Sequence, residues 1–294
     1  MAETEGEERS MRSPPRLKAI LIDLNGTLHV GSKPTRGAVQ ALQKLRRSHV
    51  PLVFCSNSTK ESTGSLLRGL RDMRFEVKDN ELLTSLGACR ALAEQRNLNP
   101  FLLMSPSAQE EFADIRRDDE YDSVILGLHP PSLSYEPFNK AFRILKREPI
   151  SHSQSTSATS EGDQRTIPLI APHASLFQQS QATDDLPEGL SLGIGPFVRA
   201  LEVAAGVEAE LVGKPTRRFF ELGIERLQEL YGDVQGDIGV VGDDVVNDLG
   251  DGARDIGLKR ILVRTGKYRP GVEGDHDPDH VYDDFASFVD DLVR

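Results

Sequence analysis

The chain predicts an α/β protein, a doubly wound parallel sheet with a second α/β domain inserted into it. Three observations carry that expectation. Short apolar, β-branched runs alternate with segments whose apolar residues recur at helical spacing. That alternation implies parallel pairing, since a parallel neighbour needs a crossover connection. Polar residues directly follow several of the apolar runs, where sheets of this kind bind their ligands.

The first run, Ala19-Ile-Leu-Ile-Asp-Leu24, is too short for an independent helix and reads as a strand buried on both faces. Asp23 interrupts it near its end, and Gly26-Thr27 break it. A carboxylate there needs a partner, because an unpaired buried charge is expensive. Val39, Leu42 and Leu45 predict a helix over 35–48. Val50 to Cys55 is the next strand, its proline confined to the start, and it opens into Ser56-Asn57-Ser58-Thr59 before a helix over 60–71.

A helix over 84–95, strands over 101–104, 123–126 and 167–170, and helical segments over 107–112 and 137–146 come next. They lie between two halves of the polar set and are assigned to the inserted domain, 84–192. Its Ser/Thr-rich stretch cannot bury enough area to offset ordering entropy, so 151–166 reads as a flexible loop. The polar run 175–188 is expected to be partly mobile. The first domain, 16–83, is expected to resume over 193–294, where Pro196 suits the first turn of a helix ending near Ala205. A strand over 209–212 leads to Gly213-Lys214-Pro215, and a helix over 216–231 buries Phe219, Phe220, Ile224, Leu227 and Leu230. A strand over 238–241 runs into Gly242-Asp243-Asp244; a strand over 260–263 and an amphipathic helix over 285–293 close the chain.

With 294 residues there is room for one large core or two domains. A net charge of −11 and the lack of a long basic block argue against a nucleic-acid surface. No apolar stretch approaches the ~20 residues that span a bilayer. Residues 1–15 are charged and polar and read as a disordered leader with no secretory character. Cys55 and Cys89 lie inside apolar patterns, as reduced core residues of a cytoplasmic protein do.

If the strands pair in parallel, Asp23 with Asn25, Ser56-Asn57, Lys214, and Asp243-Asp244 with Asp248 converge on one edge. Crowded carboxylates repel, so one is protonated or a cation sits between them. Oxygen-only ligands with an open approach suit Mg²⁺ shared with a phosphate. Ser56, Asn57 and the amides opening the following helix form an expected anion site, to which Lys214 adds fixed positive charge.

Asp23-Leu-Asn-Gly-Thr-Leu, Ser56-Asn57, Lys214-Pro215 and Gly242-Asp243-Asp244-Val-Val-Asn-Asp248 resemble, in the same order, the four motifs of the haloacid dehalogenase superfamily. Thr265-Gly-Lys-Tyr-Arg269 and Phe197 to Glu202 add to the resemblance, which spans about 17–294. It implies a Rossmann-like core with an inserted α/β cap domain. It implies a phosphohydrolase in which Asp23 is the nucleophile and forms an aspartyl-phosphate. Mg²⁺ would be held by Asp23, the backbone carbonyl of Asn25 and Asp243. Asp248 would position a metal-bound water, with Asp244 also outside the ligand set. Ser56 and Lys214 would bind the transferred oxygens, Lys214 also orienting Asp23. A homodimer through the cap is a further expectation, as is a small phosphorylated substrate and no nucleic-acid or membrane partner.

One residue departs from the pattern. Most phosphatases of the superfamily carry a second Asp where this chain has Asn25. An amide has no proton to exchange near neutral pH, and losing general acid–base help costs ~10²–10⁴-fold in rate. Weak or selective activity is therefore expected, favouring good leaving groups such as those of pyrophosphates or phosphoramidates. The alternative is a catalytically weak relative that binds a phosphorylated ligand or partner as a regulator. A metal-free dehalogenase is disfavoured, since Asp243, Asp244 and Asp248 would then lack a cation.

Overall fold

The computed structural model describes residues 14–116, 118, 120–151, 166–272 and 276–294. The expected leader lies outside them except for its last two residues, and so does the Ser/Thr-rich loop apart from its ends. Strands β1 (Ala19–Asp23), β2 (His29–Val30), β3 (Lys33–Pro34), β4 (Leu52–Ser56) and β5 (Leu82–Thr84) come first. They are followed by β6 (Pro100–Leu103), β7 (Ser123–Leu126), β8 (Leu169–Ala171), β9 (Phe177–Ser180), β10 (Gly189–Leu192) and β11 (Ala209–Leu211). The last are β12 (Ile238–Gly242), β13 (Lys259–Val263) and β14 (His280–Tyr282).

Six strands form one sheet in the order β14-β13-β12-β1-β4-β5, every pair parallel. The order reverses between β1 and β12, the crevice where doubly wound sheets place ligands. All five residues of β1 are buried, as its apolar run predicts. Its alternation feeds two apolar layers. Ile20 and Ile22 pack with Phe54 under α1 (Ala38–Arg47), α2 (Thr63–Asp72) and the closing helix Phe285–Leu292. Ala19 and Leu21 pack with Val53 and Cys55 against Phe219, Phe220 and Leu227 of the helix Arg217–Tyr231. Cys55 is core, as its opposition to Ser56 along the strand requires.

The smaller sheet, β11-β8-β7-β6, is also all parallel and is covered on both faces. Leu86, Cys89 and Phe112 cover one side; Ala141, Ile144, Val198 and Leu201 cover the other. The helix Gly195–Ala205 and β11 therefore belong to this sheet, which corrects the expected return to the first unit at Gly193. The reason is topological. A parallel β8-to-β11 connection is a crossover, and its helix must lie on the sheet it joins. The run expected to be partly mobile holds β9, which pairs antiparallel with β10, Phe177 opposite Leu192. Strands β5 and β14 also escaped the sequence reading, each only three residues long. Among the described residues no helix is long and apolar enough to cross a membrane.

Candidate active site

The C-terminal ends of both sheets face a cleft of about 480 Å³. From the larger sheet it is lined by Asp23, Asn25, Ser56, Asn57, Asp248 and Lys267; from the smaller, by Leu128, His173 and Ser175.

Asp23 ends β1 and is 5 % exposed. One carboxylate oxygen accepts from the Thr27 hydroxyl at 2.9 Å, and the other from Lys214 Nζ at 2.5 Å. Lys214 is fully buried and spends its remaining hydrogens on Asp248 Oδ1 at 2.7 Å and the Cys55 carbonyl at 3.0 Å. Burial pushes the Asp23 carboxyl up to about 6, the Asp248 charge adding to that and Lys214 opposing it. Burial alone would lower Lys214, but Asp23 and Asp248 on either side raise it above the ordinary lysine value. Lys214 is thus a charged clamp between two carboxylates.

Asn57 places this lysine. Its amide donates to the Lys214 carbonyl at 2.9 Å and accepts from the Lys214 N–H at 3.0 Å. The side chain expected to bind phosphate is engaged on the backbone of its neighbour loop. The expected anion site at the start of α2 is altered likewise. The Thr63 N–H donates to Glu111 at 2.8 Å and the Ser65 N–H to the capping Ser62 hydroxyl at 3.3 Å. Ser56 is buried in the cleft wall, its hydroxyl accepting from the Ser58 N–H at 3.1 Å.

Asp243 follows β12 and is 1 % exposed. Its Oδ2 accepts from the Lys267 N–H at 2.6 Å, whereas its Oδ1 is buried with no hydrogen-bond partner. Gly26 and Gly266, both at positive φ, close around this carboxylate, and a Cβ at either would stand 2.1–2.2 Å from Oδ2. Burial raises the Asp243 carboxyl well above its usual range, Lys267 opposing the shift. Asp23, Asp243 and Asp248 each bring an oxygen within 4.8 Å of the others. A buried orphan oxygen in an all-oxygen cluster fits a hard divalent cation. Asp248, expected to position a metal-bound water, stands in this cluster beside Asp23 and Asp243.

Asp244 is elsewhere. It accepts from the Val246 and Asn247 N–H groups, the Asn247 amide and Lys267 Nζ, at 2.7–3.0 Å. Burial works against its ionised form, but Lys267 and these donors outweigh it and hold the carboxyl below the usual value. Lys267 received no role from the sequence. The available signal was a Gly-Lys pair shortly after a buried strand, the same pattern as Gly213-Lys214.

His173 reaches the cleft from the end of β8, its Nδ1 accepting from the Ser175 N–H at 3.2 Å. Burial, with Lys267 and Lys214 nearby, pulls its pKa to about 3, so the ring is neutral. His29 is buried in the same wall with Nδ1 at 2.8 Å from the Gly31 carbonyl, and burial lowers its pKa as well.

Residues 20–116 match the family described as haloacid dehalogenase-like hydrolase, and residues 211–288 match a HAD-hydrolase-like family. Haloacid dehalogenase-like hydrolase domain-containing protein 2 of Mus musculus is 39% identical over 257 residues, 87% of this chain and 88% of that protein. Phospholysine phosphohistidine inorganic pyrophosphate phosphatase of Bos taurus is 32% identical over 286 residues, 95% of each. A p-nitrophenyl phosphatase from Archaeoglobus fulgidus has the same fold, with a TM-score of 0.75 at 24% identity over 94% of this chain and 99% of that one. With the motif residues gathered at one sheet edge and these matches along nearly the whole length, the chain belongs to the haloacid dehalogenase-like hydrolase family.

Proposed function

We propose that the protein is a Mg²⁺-dependent phosphohydrolase acting on a small phosphorylated compound through an aspartyl-phosphate on Asp23. The observation that carries this reading is the carboxylate of Asp23, clamped by Lys214 and Thr27 within 4.8 Å of Asp243 and Asp248. Asp23, Asp243 and Asp248 would hold Mg²⁺, together with the Asn25 backbone carbonyl. When bound, the ion neutralises charge that otherwise keeps a carboxylate from approaching a phosphate.

Asp23 attacks phosphorus, and the bond from phosphorus to the leaving group breaks with its electron pair going to the leaving group. Water then attacks the phosphorus, restoring the Asp23 carboxylate and releasing inorganic phosphate. Lys214 keeps Asp23 ionised and aimed, and Ser56 receives a phosphoryl oxygen. Asn25 lines the cleft where a proton donor would stand, and an amide supplies none. Good leaving groups, of the pyrophosphate or phosphoramidate type, suit such a site, as does the printed name of the Bos taurus relative. The buried free thiols Cys55 and Cys89 support a cytoplasmic setting. Exposed Leu186, Leu190 and Leu192 around the β9–β10 hairpin support pairing of two copies through the inserted unit.

Asn25 also favours a second reading, a weak relative that binds a phosphorylated ligand as a regulator. Phosphate release from a panel that includes pyrophosphate and phosphohistidine, with Mg²⁺ or with EDTA, separates the two. Expected is release that requires Mg²⁺ and falls at least ~10³-fold in Asp23→Asn, since removal of a nucleophile leaves only binding. Absence of Asp23-dependent release from every compound would leave the binder.

A further inference from the structure

The cleft does not end at the carboxylates. It continues along the flank of α2, where Leu66, Gly69 and the C-capping Met73 line it. Residues three and seven apart share one face of a helix, so these three form a stripe about 10 Å long. Leu66 is buried in the core and Met73 packs against it, which fixes both ends of the stripe. Gly69 lies between them without a side chain, and a Cβ there would meet no atom within 4 Å. A glycine inside a helix destabilises it relative to alanine. Neither a positive φ nor a close backbone approach requires one at this position. What the glycine leaves is room. Phe177, 42% exposed, and Leu128 add apolar surface to the cleft from the inserted unit. Past Met73 the cleft adjoins a second cavity of about 500 Å³, with Ser32, Asp72 and Met73 common to both.

We propose that this arm of the cleft receives the leaving group of an aryl phosphate, and that Gly69 sets the width of the arm. The proposal rests on the phosphohydrolase reading above and names its substrate class. Two constraints select that class. Asn25 at the cleft wall has no proton to give, so the leaving group must depart as a stable anion. A phenol ionises near pH 10, as the tyrosine side chain does, so an aryloxide meets the condition better than an alkoxide. The second constraint is the stripe itself. A flat apolar body covers Leu66 and Met73 and lies against the helix backbone at Gly69, whereas pyrophosphate would leave that surface wet. In the reaction the bond from phosphorus to the aryl oxygen breaks, the electron pair stays on that oxygen, and the aryloxide takes its proton from water. Gly69 touches the departing ring and not the reacting atoms, so its effect is on which substrates enter.

The test is steady-state hydrolysis of 2-naphthyl phosphate and of acetyl phosphate by the full chain at saturating Mg²⁺, for wild type, Gly69→Ala and Gly69→Leu. Acetyl phosphate has a good leaving group too small to cover the stripe. The readout is the ratio of kcat/KM for the naphthyl ester to that for acetyl phosphate. Expected for Gly69→Leu is a fall in this ratio of at least ~10-fold, since even one methylene in an apolar pocket changes discrimination by about 10–200-fold. The fall should lie in the KM for the naphthyl ester. Gly69→Ala should show a smaller fall and unfold at an equal or higher urea concentration, because its methyl enters open space. An unchanged ratio in Gly69→Leu overturns the proposal, whether both rates hold or both drop together. Should Gly69→Leu not fold, calorimetric titration of wild type with benzylphosphonate and with methylphosphonate decides. Benzylphosphonate should bind at least ~10-fold more tightly through the buried ring, and equal affinity refutes the arm. If wild type releases phosphate from neither ester nor anhydride, the phosphohydrolase reading fails, and the same titration then judges the arm by itself.

Discussion

The larger and the smaller sheet are built alike, with parallel strands, helices on both faces and C-terminal edges turned toward one cleft. What they deliver there differs. The larger sheet brings the buried Asp23, Asp243 and Asp248 and the half-buried Lys267, and the loop that runs from β11 back to the larger unit adds the buried Lys214, so that these charges compensate one another. The smaller brings Leu128, whose N–H donates to Thr59 at 2.9 Å, and His173, kept neutral. It also stitches the lysine loop: the Val212 and Gly213 N–H groups donate to the carbonyls of Ala171 and Pro172. One architecture thus supplies the carboxylates from one sheet and neutral walls from the other, so the site, not the fold, holds the function.

The largest effect should come from breaking the charged edge at its clamp. Lys214→Met leaves Asp23 and Asp248 buried without a counter-ion, which costs about 3–5 kcal/mol of stability. Urea unfolding should show that loss, and turnover should disappear with it. Adding Asp248→Asn to Lys214→Met should restore part of the stability and none of the turnover. If Lys214→Met unfolds at the wild-type urea concentration, the two carboxylates are not compensated by this lysine and the comparison between the sheets loses its basis.

A gain is expected at Asn25. Asn25→Asp introduces a carboxyl at the cleft wall that can protonate a leaving group, so kcat on an alkyl phosphate should rise by ~10²-fold. On p-nitrophenyl phosphate, whose leaving group needs no proton, the same change should do little. A wild type already fast on alkyl phosphates and unimproved by the change would show that proton supply does not limit the reaction.

These two predictions concern residues that the sequence made legible. A carboxylate ending an apolar run is visible without a structure, because burial of charge demands a partner and only a few partners are available. So were the parallel sheet and the gathering of Asp23, Ser56, Lys214 and Asp243. The details that failed depend on partners distant in sequence. Asn57 looks like a ligand-binding amide until the Lys214 backbone occupies it. The start of α2 looks like an anion site until Glu111 arrives from the inserted unit. The helix at 195–205 carries a periodic apolar face, but periodicity does not say which sheet it will cover.

The smallest effect belongs to the neutral edge. His173 has a folded pKa of about 3, lowered first by burial and then by Lys267 and Lys214, with Asp244 pulling the other way. The unfolded chain titrates near 6.5, so between that value and about 3 the unfolded state takes up a proton that the folded state refuses. This contribution is nil above pH 7, and stability is lost as pH falls through about 6.5 toward 3, by up to ~1.4 kcal/mol per pH unit. His173→Asn keeps an acceptor for the Ser175 N–H and does not titrate. Urea midpoints at pH 8, 6 and 5 should therefore converge for the variant and its parent as pH drops, with activity at pH 8 within a few-fold. Parallel loss of stability in both proteins would mean that His173 accepts its proton in the folded state, and that the smaller sheet also brings charge to the cleft.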